Sequence, residues 1–205
     1  HQAGVETLRK VVGHVAQSGT KHLTLFSFST ENWKRPKEEI KALFSLLRSF
    51  VAKDLARLDR ENIRVTILGN RRNLPPDIQT LVQQVEDKTA SNDGLYLNIA
   101  FNYGGRDEIV RMATKLAKRV KAGDVLPEQI TEEMVSRALD TAGQPDPDMI
   151  IRTSGENRIS NFLLWQGAYA EFILLDVLWP DFTATDYDYA LQVYATRCRR
   201  MGGVA

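Results

Sequence analysis

The stretch FSFSTENWKRP, residues 26–36, begins as a run typical of a buried strand and ends in a dense group of polar side chains. Residues 22–25, directly before it, extend its apolar, β-favouring part. The polar and aromatic part that follows consists of Ser29, Thr30, Glu31, Asn32, Trp33, Lys34 and Arg35. Pro36 stops the strand pattern because it has no N–H to donate. A strand that carries so many hydrogen-bonding groups to one end of a sheet predicts a binding site at that end.

Helical and strand-like patterns alternate on both sides of this stretch. Apolar residues at helical spacing predict helices at residues 5–18, 37–60, 76–90, 107–122, 131–142 and 185–200. Short β-favouring runs predict strands at residues 21–28, 63–68, 95–101, 148–152 and 171–175. This alternation is typical of parallel strands covered by helices. We therefore expect one α/β domain over residues 1–205, built on a single parallel β-sheet surrounded by helices.

The composition disfavours several classes of protein. With 205 residues, 43% of them hydrophobic and 26% charged, the chain is long and apolar enough for one folded domain. Its net charge of +1 disfavours a nucleic-acid-binding protein, which usually has a clear basic excess. The single cysteine, Cys198, can form no internal disulfide and fits a reducing, cytoplasmic compartment. No apolar run reaches the ~18 residues of a membrane span, so we expect any action on lipid to occur at the membrane surface.

The beginning of the chain differs from the usual start of an α/β domain. It opens on His1 and enters a helical pattern almost at once, whereas such domains usually begin with a strand. The loop after that first strand commonly holds phosphate. We therefore expect that the first strand and its loop are missing from the given chain.

A second polar segment follows the strand predicted at residues 148–152. The sequence RTSGENRIS, residues 152–160, carries Arg152, Arg158 and two serines around a glycine. Guanidinium groups match phosphate oxygens, and hydroxyl or backbone N–H groups complete the shell, so this loop predicts a diphosphate site. The alternative is surface ion pairing of both arginines. The turn NYGGR, residues 102–106, reaches the same edge of the sheet, although a Gly-Gly turn after a strand is more often only a turn.

The helix predicted at residues 37–60 has an unusually wide apolar face. Its apolar residues include Ala42 and Leu46 in addition to one regular helical stripe. Such a face can line a cavity for an apolar ligand, and the alternative is an ordinary core helix.

Three stretches together closely resemble the cis-prenyltransferase family, in particular bacterial undecaprenyl diphosphate synthases. They are FSFSTENWKRP, IRTSGENRISNFLLWQGAYAEF and DVLWPDF, and the resemblance covers essentially the whole chain. It implies a parallel sheet ringed by helices with a hydrophobic tunnel, a homodimer and Mg²⁺ dependence. It also implies sequential condensation of isopentenyl diphosphate with an allylic diphosphate such as farnesyl diphosphate. The implied product is undecaprenyl diphosphate, the carrier lipid of cell-wall peptidoglycan.

The resemblance also implies which residues form the site. Those that border or bind the substrates are His1, Ser29, Thr30, Glu31, Trp33, Arg35, Arg152, Arg158, Ile159 and Ser160. Arg152, Arg158 and Ser160 match a clamp on isopentenyl diphosphate, and Glu171 matches a Mg²⁺ ligand. Asn32 is the position implied to assist proton removal. Because a neutral amide is a very poor base, orientation of the isopentenyl group is the alternative role for Asn32.

One motif of the family is absent from the given sequence. An Asp-Gly-Asn-Gly-Arg-type loop, which supplies an aspartate for Mg²⁺ and cradles the allylic diphosphate, does not occur. Either the chain omits an upstream segment, or it is a non-catalytic partner subunit of a prenyltransferase. The retained site residues favour omission; they are Asn32, Arg152, Arg158, Ser160 and Glu171. The other alternative is an unrelated α/β phosphate-binding protein, which the absence of GxGxxG and GxxxxGK[ST] patterns disfavours.

Overall fold

A computed structural model describes residues 2–197 and contains both helices and parallel strands. The helices are α1 Gln2–Gln17, α2 Lys37–Arg60, α3 Pro76–Thr89, α4 Gly105–Ala122, α5 Glu132–Ala138 and α6 Ala184–Ala195. The strands are β1 His22–Ser29, β2 Ile63–Leu68, β3 Leu95–Tyr103, β4 Met149–Arg152 and β5 Glu171–Leu174. A 3₁₀ helix at Thr30–Lys34, which we name the β1 turn, directly follows β1. None of the helices in the described range is long and apolar enough to cross a bilayer.

Two predicted helices end earlier than their patterns indicate. Helix α5 stops at Ala138 instead of residue 142, because the chain turns at Leu139 and brings Asp140 to two partners. The Asp140 carboxylate accepts hydrogen bonds from Arg111 and from the Gly69 N–H, at 2.7 and 3.0 Å. Helix α6 stops at Ala195, whereas the prediction extended it to residue 200. Residues 198–200 lie outside the described range.

The predicted parallel sheet with flanking helices is confirmed, but its strands form two ladders instead of one. One ladder has the order β1-β3-β2 and the other pairs β4 with β5, and every pair is parallel. The segments before and after β4 both contact β1. Gln144 lies 3.1 Å from the His22 ring nitrogen, and Phe162 stacks on Phe26 with 4.7 Å between ring centroids. The two ladders are therefore neighbours, although β1 and β4 share no ladder in the described residues.

Strand β3 lies at the centre of the larger ladder and is buried at every residue except Tyr96. Side chains of a strand point alternately to its two faces, so β3 supplies two separate parts of the core. Leu97, Ile99 and Phe101 join the main cluster with helices α1, α2 and α3. Ala100 packs in a smaller cluster with residues of the loop after β4. Burial on both faces explains why the β3 sequence is nearly continuously apolar.

The wide apolar face of α2 packs into the main core, which is one of the two alternatives, and leaves only a small cavity there. The cavity lies between α2, α3 and the larger ladder, and its volume is about 20 Å³. Its lining consists of Leu47, Phe50, Val51, Leu55, Leu58, Val65, Ile67, Leu81, Val82, Val85 and Ile99. A space of this size holds about one water molecule, so it is far too small for a prenyl chain without movement of its walls.

Candidate active site

Three loops that follow strands meet at Gly104. Thr30 belongs to the β1 turn, Gly104 follows β3, and Asn161 follows β4. A Cβ atom at Gly104 would lie 2.5 Å from Thr30 Oγ1 and 2.7 Å from Asn161 Nδ2, both too close for a real side chain. The NYGGR turn is therefore more than a connection, because the missing side chain of Gly104 allows the other two loops to converge there.

Asn161 makes contacts with both of the other loops. Its main-chain oxygen accepts from the Gly105 N–H at 2.7 Å, and its Oδ1 accepts from the Arg106 N–H at 2.9 Å. Both donors belong to the first turn of α4, whose N–H groups have no partners within the helix. The Asn161 Nδ2 group donates to Glu31 Oε1 at 2.8 Å. Asn161 has a φ of 61°, a left-handed conformation that asparagine adopts more readily than most residues.

Within the β1 turn, Asn32 already uses its side-chain oxygen. The Ser29 N–H donates to Asn32 Oδ1 at 2.9 Å. The group that Asn32 can present to a substrate is therefore its NH₂, which is a donor and cannot accept a proton. This geometry agrees with an orienting role for Asn32 and disfavours a role as a base.

Trp33 anchors the other end of the β1 turn. Its Nε1 donates to Asn102 Oδ1 at 2.7 Å, and its ring meets Phe28 and Phe44 edge to face. Asn102 is buried at the end of β3 with a φ of 51°, and its Nδ2 donates to the Asn70 main-chain oxygen at 2.6 Å. Trp33 remains 37% exposed, so its Nε1 is fixed while part of the side chain stays accessible to solvent.

Glu31 is held in its ionised form. Burial raises the pKa of its carboxyl group, but the hydrogen bonds that it accepts lower the pKa by more. The donors are its own backbone N–H, the Asn161 amide and the Ser29 and Thr30 hydroxyls. The pKa of Glu31 therefore lies below its ordinary value, and the side chain carries a negative charge at neutral pH.

Residues 152–160, which we name the arginine loop, contain donors with few protein partners. Arg152 is partly buried, and its Nε has no hydrogen-bond partner within the described part of the chain. The Arg158 side chain is 71% exposed and pairs with nearby Glu156 at 2.8 Å. Ser160 is exposed with a φ of 52°, and Ile159 packs against the cluster around Phe162. Buried donors without partners are rare in folded proteins, so Arg152 points to an anionic ligand.

Arg35 lies at the end of the β1 turn and contacts helix α2. Its guanidinium group donates to Glu39 at 2.6 Å, and both side chains are substantially exposed. Exposed ion pairs of this kind contribute little to stability, so a substrate anion can compete for Arg35.

Glu171 lies apart from the arginine loop. In the β4–β5 ladder Glu171 pairs with Met149, three residues before Arg152. Glu171 and Arg152 are therefore about 10 Å apart along the strand direction. The nearest ion-pair partner of Glu171 is Arg197, at 4.0 Å. Residues 2–197 contain no group of three or more His, Cys, Asp or Glu side chains that could hold a metal ion. Glu171 alone therefore forms no complete metal site.

The structure brings Thr30 and Glu31 of the β1 turn against Asn161, the residue that follows the arginine loop. Arg35 contacts α2 instead, and Glu171 lies apart. His1, implied to lie beside the allylic diphosphate, is outside the described residues. Sequence reasoning missed Asn161, and treated Asn102 and Gly104 as parts of a simple turn. An available signal was their position, since each directly follows a strand or a candidate binding loop.

Comparison with known proteins gives one consistent result. A family model described as "Putative undecaprenyl diphosphate synthase" matches residues 1–202. An isoprenyl transferase of Rhizobium meliloti is 52% identical over 204 residues, covering 100% of this chain and 83% of that protein. One from Brucella suis is 54% identical over 204 residues, covering 100% of this chain and 80% of that protein.

Solved structures agree with these relatives. Lavandulyl diphosphate synthase from Lavandula x intermedia, in complex with dimethylallyl diphosphate, matches with a TM-score of 0.95 and 34% identity, covering 98% of this chain and 87% of that one. A probable undecaprenyl diphosphate synthase from Campylobacter jejuni matches with a TM-score of 0.85 and 34% identity, covering 98% and 93%. With this fold, these loops and this degree of identity, the chain belongs to the undecaprenyl diphosphate synthase family of prenyl transferases.

Proposed function

We propose that this chain elongates a prenyl chain with cis double bonds by sequential condensation of isopentenyl diphosphate with farnesyl diphosphate. The observation that carries the proposal is the Nε of Arg152, which has no partner within the described residues. Arg152 begins the arginine loop, and Asn161, directly after that loop, contacts the β1 turn. A guanidinium nitrogen that lacks a protein acceptor is suited to a diphosphate, and the neighbouring turn carries the Asn32 amide.

In this proposal the arginine loop binds the diphosphate of isopentenyl diphosphate. Arg152 donates through Nε, Arg158 leaves Glu156 to bind a second oxygen, and the Ser160 hydroxyl completes the shell. Arg35 leaves Glu39 in the same way. Both Arg158 and Arg35 exchange a solvent-exposed carboxylate for a diphosphate, which favours the bound state because the ligand carries more charge.

The reaction forms one carbon–carbon bond and breaks one carbon–oxygen bond. The allylic diphosphate leaves with its electron pair, and the double bond of isopentenyl diphosphate attacks the allylic carbon. The product then loses one proton to a diphosphate oxygen or to water, since the Asn32 oxygen is engaged and Glu31 has a lowered pKa. Asn32 orients the isopentenyl group through its NH₂ donor.

The growing chain is proposed to enter the space between α2 and α3. All the side chains around the present cavity are apolar, and the chain would gain ~0.8 kcal/mol for each CH₂ that it buries. Because the cavity measures only about 20 Å³, α2 and α3 must separate as the chain enters. Undecaprenyl diphosphate is the proposed product, made in the cytoplasm and delivered to the membrane surface for cell-wall synthesis.

We propose Mg²⁺ as the cofactor, with Glu171 as one of its ligands. Mg²⁺ is usually held by one or two carboxylates together with substrate phosphate oxygens and water, so a lone carboxylate is compatible with it. When bound, Mg²⁺ supplies Lewis-acid stabilisation of a departing diphosphate. Because Glu171 lies away from the arginine loop, we also propose that a segment outside the given sequence contributes a strand beside β1 and an aspartate for the metal.

We propose that the protein is a homodimer that uses the outer side of β5. Phe172 and Leu174 are two residues apart and therefore lie on the same face of the strand, where they are 36% and 50% exposed. Leu178, beyond the strand, is 56% exposed. Sedimentation should give a species of twice 23 kDa at micromolar concentration. Leu174→Glu should give a monomer, whereas the control Val110→Glu, on the exposed side of α4, should leave the dimer intact. A monomeric wild-type protein would contradict the proposal.

The clamp is tested by Arg158→Ala, with Arg137→Ala as the matched control. Both arginines are more than two-thirds exposed and pair with a nearby glutamate, but Arg137 lies on α5, away from the loops that meet at Gly104. Loss of charge-assisted hydrogen bonds should weaken isopentenyl diphosphate binding about 10- to 100-fold in Arg158→Ala. Calorimetry should detect no change in Arg137→Ala. Equal affinities in wild type and Arg158→Ala would contradict the assignment, and tighter binding of a nucleotide would favour an unrelated phosphate-binding protein.

A further inference from the structure

We propose that Asn161 is a positioning residue that fixes the distance between the arginine loop and the β1 turn. It thereby fixes the distance between the two ends of one isopentenyl diphosphate molecule. This inference rests on the proposed function, because it takes the diphosphate to lie at the arginine loop and the reacting double bond at Asn32. Asn161 directly follows Ser160, and its Nδ2 donates to Glu31, the residue before Asn32, at 2.8 Å.

The Asn161 side chain is held in one orientation. Its Oδ1 accepts from the Arg106 N–H at 2.9 Å, so its Nδ2 must be the atom that faces Glu31. Its main-chain oxygen accepts from the Gly105 N–H at 2.7 Å. Since two of these three hydrogen bonds tie it to the start of α4, Asn161 cannot follow the β1 turn if that turn shifts. The hydrogen bond between Asn161 and Glu31 is therefore fixed at its Asn161 end.

The β1 turn is held at its other end as well. Trp33 donates to Asn102 at the end of β3, at 2.7 Å. The β1 turn is therefore hydrogen-bonded to one asparagine at each end, Asn161 and Asn102. Asn102 sets where the turn ends relative to the larger ladder, and Asn161 sets how close its start lies to the arginine loop. A change of about 1 Å in the placement of reacting groups can cost ~100-fold in rate, so this separation matters for turnover.

A merely structural role for Asn161 is the alternative. As a cap for α4, Asn161 would act through Gly105 and Arg106, and its contribution would not depend on the identity of residue 31. A positioning role acts through Glu31 and must depend on it. The two roles can therefore be separated by a double-mutant cycle between positions 31 and 161.

The cycle uses Asn161→Asp, Glu31→Gln and the double variant in the intact protein that carries this sequence. An aspartate at position 161 keeps the acceptor for the Arg106 N–H and tolerates a positive φ, but it places a carboxylate against Glu31. In the double variant, the amide introduced at position 31 can donate to the new carboxylate, which restores the bond in the reverse direction. Steady-state kinetics with isopentenyl and farnesyl diphosphates give kcat and KM, and calorimetry gives the isopentenyl diphosphate affinity.

We expect Asn161→Asp to lower kcat about 10- to 100-fold when residue 31 is glutamate, and no more than about 3-fold when it is glutamine. The KM for isopentenyl diphosphate should change less than kcat, because the arginine contacts remain. The same loss of kcat in both backgrounds would overturn the inference. If Asn161→Asp does not fold, as judged by circular dichroism, Asn161→Gly replaces it in the cycle and should again cost more in the wild-type background than in the Glu31→Gln background.

Failure of the proposed function can be distinguished from failure of the positioning role of Asn161. Wild-type protein that neither binds nor converts isopentenyl diphosphate would remove both the proposed function and this inference. Wild-type turnover together with equal losses in the two backgrounds would overturn the positioning role alone.

Discussion

The β1 turn and the arginine loop both follow a parallel strand, but they differ in how many of their polar groups are already bonded within the protein. In the turn, Glu31 accepts from Asn161, and Trp33 donates to Asn102. In the loop, Arg152 has a buried Nε without a partner in the described residues, and Arg158 pairs with a substantially exposed glutamate. The turn is already bonded within the protein, whereas the loop keeps a buried donor that the proposed diphosphate would bond. In the proposed function, the part that orients the substrate is thus separate from the part that binds its charge.

The largest expected effect comes from breaking the junction between the two regions. Gly104→Ala adds a Cβ that would lie 2.5 Å from Thr30 Oγ1 and 2.7 Å from Asn161 Nδ2, so these side chains or their loops must shift. We expect kcat/KM to fall about 100-fold, because displacement of reacting groups by ~1 Å has costs of this size. The control is Gly13→Ala on α1, where an added Cβ meets nothing within 4 Å. Retention of full activity by Gly104→Ala would contradict the convergence of the loops.

Removal of Arg152 tests whether the arginine loop is completed by its ligand. In Arg152→Met the affinity for isopentenyl diphosphate should fall about 30-fold, since a charge-assisted bond contributes ~2 kcal/mol. The unfolding temperature should stay the same or rise, because the variant removes a buried donor that has no partner in the described residues. Calorimetry and thermal denaturation measure the two quantities. A large loss of stability would indicate that Arg152 has a structural role instead.

Removal of the Trp33 anchor tests whether the β1 turn is built in advance. Trp33→Phe keeps an aromatic ring against Phe28 and Phe44 but removes the donor to Asn102. We expect kcat to fall about 10-fold and the free energy of unfolding to fall by ~1 kcal/mol. Trp165→Phe is the matched control, since its Nε1 donates to Ser136 Oγ at 3.0 Å, outside the meeting point of the loops. Equal activity losses in the two variants would argue against a special role for the Trp33 anchor.

The smallest expected effect concerns pH and Glu31. Because the pKa of Glu31 is lowered in the folded protein, its ionised form stabilises the fold above the unfolded pKa. That contribution is lost as the pH falls through the folded pKa, below the ordinary value of 4.5. Thermal unfolding of wild type and Glu31→Gln should therefore differ slightly at neutral pH and converge once the pH lies below the folded pKa. A difference that grows on acidification would contradict the lowered pKa.

Much of the fold is predictable from local patterns. Strand β1 and helix α2 follow directly from alternation and helical spacing, because their own side chains decide which face is buried. The end of α5 is not predictable in this way, since Asp140 leaves the helical pattern to bind Arg111 and Gly69. The end of α5 therefore depends on two partners of Asp140 that are distant in sequence, at separations of 29 and 71 positions.

The candidate site also has a part that is predictable from sequence and a part that is not. The polar residues of the β1 turn and the arginine loop are visible in the sequence, because each group follows a strand. The sequence shows Asn161 only as a polar residue after Ser160. Its left-handed backbone and its bonds to Glu31 and Arg106 arise from tertiary structure, so its importance could not be read from the residue type.

The cavity beside α2 has a consequence for how the length of a product could be controlled. Every side chain that lines it is aliphatic or aromatic, and its volume is about 20 Å³. Such a wall has no hydrogen-bonding group with which to recognise a chain end or count double bonds. This wall can therefore limit a hydrocarbon chain only by the volume that the chain occupies. Among variants of this wall, those that conserve volume should leave product identity unchanged, and those that alter volume should change it whatever their chemistry.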